Sequence, residues 1–174
     1  MITKKTFALL LIGALSWTAS AHAQKLPTPV TVGAERMDLL LPSLQDKRVA
    51  LMVNQSSLVG STGTHLVDTL LSEGINIVRL FVPEHGLRGK VDAGKNVRSG
   101  VDEKTGLPVV SLYGQRKRPT PEMLADIDLL VFDLQDVGTR FYTYISSMHY
   151  LMEACAEEGK TFVVCDRPNP NDFI

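Results

Sequence analysis

The stretch Val78-Arg79-Leu80-Phe81-Val82-Pro83-Glu84-His85-Gly86-Leu87-Arg88-Gly89 decides the fold. Its first half has the length and composition of a buried strand. It ends abruptly at Pro83, which has no N–H to give to a sheet ladder. Gly86 and Gly89 permit unusual backbone angles, and between the strand and those glycines stand a carboxylic acid, an imidazole and a guanidinium. A strand end is a rigid place from which to present a reactive group, and in open α/β sheets ligands bind outside the carboxyl ends of the strands. Glu84 is accordingly the first candidate for chemistry. The plainer alternative is a polar turn after a strand.

The same pattern repeats along the chain. Apolar runs at 48–53, 75–82, 107–113, 128–134 and 161–165 are continuous rather than alternating, as expected when both sheet faces are covered. Between them lie helical patterns. Met37, Leu40, Leu41 and Leu44 fall near helical spacing within 32–44. Leu66, Val67, Leu70 and Leu71 mark a second helix that Gly74 closes. Thr120, Pro121 and Glu122 open a third as cap, first helical position and first-turn acid. A long helix over about 141–158 carries an apolar stripe at 141, 144, 145, 148, 151, 152 and 155, and Gly159 caps it. This alternation predicts an α/β, Rossmann-like three-layer domain with a mostly parallel five-stranded sheet. The segment 86–106 is long, polar and glycine-bearing, as binding loops and lids are.

The 174 residues suffice for one domain with a core. Residues 1–23 read as a secretory signal peptide: Lys4 and Lys5, a short apolar run from Phe7 to Trp17, and Ala21-His22-Ala23 as the cleavage site. Residues 24–174 are then the catalytic domain, periplasmic or secreted, with no membrane attachment after cleavage. Removing Lys4 and Lys5 leaves 16 basic against 19 acidic groups, a net charge of −3, which argues against a nucleic-acid partner. Cys155 and Cys165 are read as buried free thiols in preference to a disulfide, because bridging geometry is demanding. No zinc-type spacing is present, so no metal is assigned.

Each predicted strand ends in polar groups: Asn54 and Gln55; Glu84 and His85; Tyr113; Asp133 with Gln135 and Asp136; Asp166, Arg167 and Asn169. In a parallel sheet all of these converge on one edge. No phosphate-binding glycine loop and no nucleophile elbow is present. Carboxylates with amides, an aromatic ring and arginine suit carbohydrate. One carboxylic acid protonates a glycosidic oxygen while a second carboxylate activates water or attacks the sugar. Glu84 is the acid, with His85 beside it to orient it. Asp133, Asp136 and Asp166 are candidates for the second role; Asp136 is retained as catalytic. Asn54, Gln55, Arg88, Tyr113, Asp133, Gln135, Arg140, Tyr142, Asp166, Arg167 and Asn169 are placed with the substrate. Structural alternatives stand beside these: Asp133 as a buried hydrogen-bonded acid, Asp136 as a helix cap, Asp166 with Arg167 as an ion pair. Tyr144 reads as core, and His65 and His149 as structural or solvated. Residues 115–118, a basic knot of Gln115, Arg116, Lys117 and Arg118, read as a solvated turn rather than an anion site.

Four blocks in order carry a resemblance: 81–89; 106–114 with Leu107, Pro108, Tyr113 and Gly114; 131–144 with Asp133, Gln135, Asp136, Gly138, Arg140 and Tyr142; and 166–170 with Asp166, Arg167, Pro168, Asn169 and Pro170. Together they resemble the bacterial exo-β-N-acetylmuramidases of NamZ type over about residues 48–170. The resemblance implies glycoside hydrolysis, namely release of terminal N-acetylmuramic acid from non-reducing ends of peptidoglycan fragments. It implies an N-terminal Rossmann-like domain whose catalytic Glu is Glu84, and no cofactor. It also implies a second, C-terminal domain that completes the cleft and that this chain, ending at Ile174, lacks; residues 171–174 depart from the expected glycine-bearing continuation. Two other readings compete: a non-catalytic peptidoglycan- or sugar-binding module, and a metal-dependent hydrolase using Asp133, Asp136 and Asp166, which no histidine–carboxylate spacing supports.

Overall fold

The structure is a computed structural model that describes residues 30–88 and 99–171. The signal-peptide reading at 1–23, residues 24–29 and the middle of the glycine-bearing loop, Gly89 included, lie outside the described residues.

The five predicted apolar runs are strands β1 (Val49–Val53), β4 (Ile77–Val82), β6 (Pro108–Ser111), β7 (Leu129–Asp133) and β8 (Thr161–Val164), all mutually parallel where they pair. A sixth strand, β5 (Gly100–Val101), adds antiparallel to β6 at one edge, so the sheet order is β5-β6-β4-β1-β7-β8. The sheet therefore has six strands where the sequence led us to expect five. Two residues inside a polar loop carry no strand periodicity to read. A separate short hairpin, β2 (Leu58–Val59) with β3 (Thr64–His65), folds from the stretch read as a loop after β1.

Among the described residues four α-helices flank the sheet: α1 (Met37–Leu44), α2 (Leu66–Ser72), α3 (Pro121–Leu124) and α4 (Tyr144–Glu157). Every residue of β1 is buried, and its side chains alternate between two cores. Val49, Leu51 and Val53 pack with Leu40 and Leu44 of α1 and Leu66 and Leu70 of α2. Ala50 and Met52 pack with Leu124, Tyr144 and Leu151 on the other face. Cys165 belongs to the first core and Cys155 to the second, so the sheet separates the two free thiols. Burial pushes them up, to about 12 and about 11, which keeps both protonated at neutral pH.

Local signals account for the element ends. Gly74 takes φ +76° after α2, and the N–H of Ile75 closes onto the carbonyl of Leu70 at 3.0 Å. Thr120 sits at the cap position of α3 without a side-chain capping bond, and that helix is a single turn. The stripe on α4 is wider than the face the sheet covers. Tyr144, Leu151 and Cys155 are buried, whereas Phe141, which precedes the helix, and Ile145 and Met152 are exposed. Among the described residues no helix is long and apolar enough to cross a membrane.

Taken in chain order, the five parallel strands stand 3-2-1-4-5 across the sheet. The chain leaves β1 toward β4 on one side and reaches β7 on the other. The crevice outside the carboxyl end of β1 is thus the topological switch point, where such sheets bind ligands.

Candidate active site

Three loops meet at that switch point. Asn54 follows β1, Glu84 and His85 follow β4, and Gln135 and Asp136 follow β7. Asn54, Glu84, His85 and Gln135, with Gln55, Ser56 and the 141–144 segment, line a cavity of about 430 Å³, and Asp136 follows Gln135 behind that wall.

The Glu84 loop is a tight turn. The N–H of Gly86 donates to the carbonyl of Pro83 at 3.2 Å. His85 occupies the third turn position with φ +71°, which glycine normally fills. Holding a non-glycine residue there costs about 1–3 kcal/mol, and such strain persists mainly where a side chain is needed. The Tyr113 hydroxyl, carried by the segment after β6, donates to Glu84 Oε1 at 2.8 Å. That bond to the carboxylate, then partial burial, raises the Tyr113 phenol above its ordinary value.

A polar lattice fixes the other two loops. The amide of Asn54 donates to the Tyr144 hydroxyl at 3.0 Å, and Asn54 Oδ1 accepts from Ser56 N and Oγ at 2.8 and 2.6 Å. Ser56 Oγ in turn accepts the N–H of Gln135 at 3.0 Å. Gln135 Nε2 donates to the carbonyls of Asp136 at 2.7 Å and Pro168 at 2.9 Å, joining the β7 and β8 exits. Asp136 Oδ2 accepts from the N–H of Gly138 at 3.2 Å, while Oδ1 is buried without a hydrogen-bond partner. An orphaned carboxylate oxygen is costly and points to a donor that arrives with a ligand or with water. Burial raises the Tyr144 phenol, and the negative charges of Glu84 and Asp136 push it further up, so both carboxylates act on the same ring.

The structure brings Asn54, Gln55, Glu84, His85, Gln135 and Tyr142 onto the cavity wall, with Tyr113 on Glu84 and Asp136 next to Gln135. It assigns other duties to the rest. Asp133, fully buried, accepts a bidentate pair from Arg167, Nε to Oδ1 at 2.6 Å and the terminal nitrogen to Oδ2 at 2.9 Å. Burial pushes the Asp133 carboxyl up against the pull of that guanidinium. The alternative that paired Arg167 with Asp166 does not hold, because Asp166 is exposed and borders a separate groove between α1 and β8. Arg88 is bound to Asp102, at 3.2 and 2.9 Å, and ties the start of the glycine-bearing loop to the β5–β6 connection. Asn169 packs on Gly138, where a Cβ would meet its amide at 2.0 Å, and Arg140 is exposed on the turn before α4. Asp133, Asp136 and Asp166 therefore do not gather around one point. Among the described residues no group of three or more His, Cys, Asp or Glu is placed to hold a metal ion.

Ser56 and Tyr144 are site residues that the sequence reading passed over. Tyr144 is core by burial, as expected, yet its hydroxyl ends on Asn54. Ser56 sits in the Asn54-Gln55-Ser56 strand end, where a third small polar group is the only signal.

Fold and site together define a Rossmann-like α/β domain with a carboxylate-bearing polar cleft at its switch point. Residues 49–173 match the family described as exo-β-N-acetylmuramidase NamZ, N-terminal. The chain belongs to that family. It is 45% identical to the peptidoglycan β-N-acetylmuramidase NamZ of Bacillus subtilis, over 96% of this chain and 43% of the relative. Two crystal structures of DUF1343-family proteins from Bacteroides fragilis superpose with TM-scores of 0.70 and 0.71 at 42% and 46% identity. They cover 83% and 80% of this chain and 36% and 35% of theirs. The chain thus spans less than half the length of these relatives.

Proposed function

We propose that this chain is the Glu84-bearing part of an exported glycoside hydrolase that releases N-acetylmuramic acid from non-reducing ends of peptidoglycan fragments. Glu84 is the general acid/base. It stands on a strained turn at the switch point, and the Tyr113 hydroxyl bond fixes one carboxylate oxygen. Asp136, with its orphaned Oδ1, is the second carboxylate, which steadies or activates the group attacking the sugar. His85 orients Glu84. The amides of Gln55 and Gln135 and the ring of Tyr142 face the ligand as hydrogen-bonding and stacking groups, and Asn54 holds the wall behind them through Tyr144 and Ser56. The reaction consumes only water. Residues 1–23 act as the export signal, and the product works in the periplasm or outside the cell.

The observation that carries this reading is the meeting of Glu84, His85 and Gln135 on one cavity wall at the switch point of a chain belonging to this family, with Asp136 adjacent to Gln135. Turnover of a chromogenic β-N-acetylmuramide by the full-length gene product tests it. Glu84→Gln lowers kcat by about 10²–10⁴, the usual contribution of general acid–base catalysis. Binding of muramyl fragments by wild type and Glu84→Gln alike, with no turnover by either, would replace this reading with a peptidoglycan-binding module.

A further inference from the structure

Glu84 borders two cavities. Across it from the amide-lined site lies a second one of about 400 Å³, walled by Pro83, Leu112, Tyr113, Lys117, Ser146 and Tyr150 among others. Each volume falls in the range of about 300–1,000 Å³ usual for small-molecule clefts. Their chemistry differs. The first presents amides, an imidazole and aromatic rings, with no Lys or Arg on its wall. The second presents an ammonium group, hydroxyls, and the apolar surfaces of Pro83 and Leu112. Lys117 belongs to the basic knot read from the sequence as a solvated turn. Its neighbour Arg118 fits that reading, because it pairs with Glu157 on α4. Lys117 is exposed, as that reading expects, and among the described residues it has neither ion pair nor hydrogen bond; it also lines the cavity that Glu84 shares. The segment after β6 therefore does two things, placing the Tyr113 hydroxyl on Glu84 and the Lys117 ammonium across the cavity from it.

We propose that the Lys117 cavity is the subsite for the lactyl carboxylate of the muramyl residue, and that Lys117 is a specificity-determining residue. The inference rests on the glycosidase reading above. A muramyl sugar differs from an N-acetylglucosaminyl sugar by one substituent, an ether-linked lactyl group with a carboxylate and a methyl. An unpaired ammonium with hydroxyl donors suits the carboxylate, and the Pro83 and Leu112 surfaces suit the methyl. Glu84 forms the wall, so the sugar bearing that substituent lies against the acid. Lysine fits this task as a mobile point charge, since a single carboxylate in a part-open cavity needs no planar fork.

The test compares kcat/KM of the full-length gene product on three chromogenic substrates: the β-N-acetylmuramide, its lactyl methyl ester, and the β-N-acetylglucosaminide. Lys117→Met is expected to lose about 10- to 100-fold on the free-acid muramide and less than about threefold on the ester, in line with a charge-assisted hydrogen bond. Lys117→Arg, which keeps the charge, recovers most of the loss. Equal losses on acid and ester, or no loss on the acid, would overturn the subsite assignment while leaving Glu84 untouched. If wild type turns over none of the three substrates, the glycosidase reading fails and this subsite falls with it.

Discussion

His65 is held at both ring nitrogens. Nε2 lies 2.9 Å from the Asn54 carbonyl oxygen, and Nδ1 accepts the N–H of Val67 at 3.3 Å, capping α2. An acceptor at Nδ1 and a donor at Nε2 define the neutral imidazole. Burial, the largest influence, lowers its pKa below the ordinary value. The sign of the linkage follows. Above the unfolded value of about 6.5, both states hold a neutral ring and the full contribution is present. As the pH falls through that value toward the folded one, the unfolded chain takes up the proton first and stability is lost, by at most about 1.4 kcal/mol per pH unit. Urea midpoints measured from about pH 8 down to about pH 5 should therefore fall, and His65→Gln should flatten the curve over that window. Parallel curves for the two proteins would show that His65 does not titrate on unfolding. From the sequence His65 could be read only as structural or solvated near a helix start; the capping bond was not legible, because it depends on the β3 backbone that carries His65.

At the scale of elements, one guanidinium joins three of them. Arg167, just past β8, clamps Asp133 at the end of β7 and also donates to the Leu58 carbonyl of the β2–β3 hairpin at 3.0 Å. Arg167→Ala would leave a fully buried carboxylate without its partner, a loss of about 3–5 kcal/mol. Replacing both, as Asp133→Leu with Arg167→Met, should recover much of that, because a buried ion pair is commonly worth little more than well-packed apolar side chains. Denaturant unfolding of the single and double variants measures this. A single-variant loss below about 1 kcal/mol would mean that water reaches Asp133. The pair shows where sequence reading stops. Asp166 and Arg167 are adjacent and oppositely charged, which suggested an ion pair. In extended backbone, however, neighbouring side chains point to opposite sides, so Arg167 turns inward and Asp166 outward. The five long apolar strands were readable because each carries its own burial pattern. β5 and the β2–β3 hairpin were not, because two-residue strands have no period and exist through their pairing.

The whole molecule gathers its site at one edge and leaves that edge open. The strand-end rule placed Asn54, Glu84, Tyr113 and Gln135 there from sequence alone, since parallel strands put all their carboxyl ends on one side. It also gathered Arg88, Asp166 and Asn169, because a rule about strand ends says nothing of which way each side chain turns. The rim of the cleft is made by Phe141, 94% exposed, and Tyr142, 46% exposed and edge-on to the Tyr144 ring; both line the cavity. Large aromatic side chains left in water around a polar cleft mark a surface that another body meets. The relatives are more than twice as long as this chain. A cleft closed on one side only positions a sugar poorly and leaves the reacting bond wet, and misplacement by about 1 Å is enough to cost about 10²-fold in rate. We therefore expect residues 24–174 alone to fold, to retain weak binding of muramyl fragments, and to turn over the chromogenic muramide at least about 10²-fold more slowly than the full-length gene product. Phe141→Ala should slow the full-length gene product while hardly changing residues 24–174 alone, the outcome expected if a further part of the protein covers the exposed ring. Equal rates for the two lengths would mean that the site is complete at the sheet edge and that the exposed rim has another purpose.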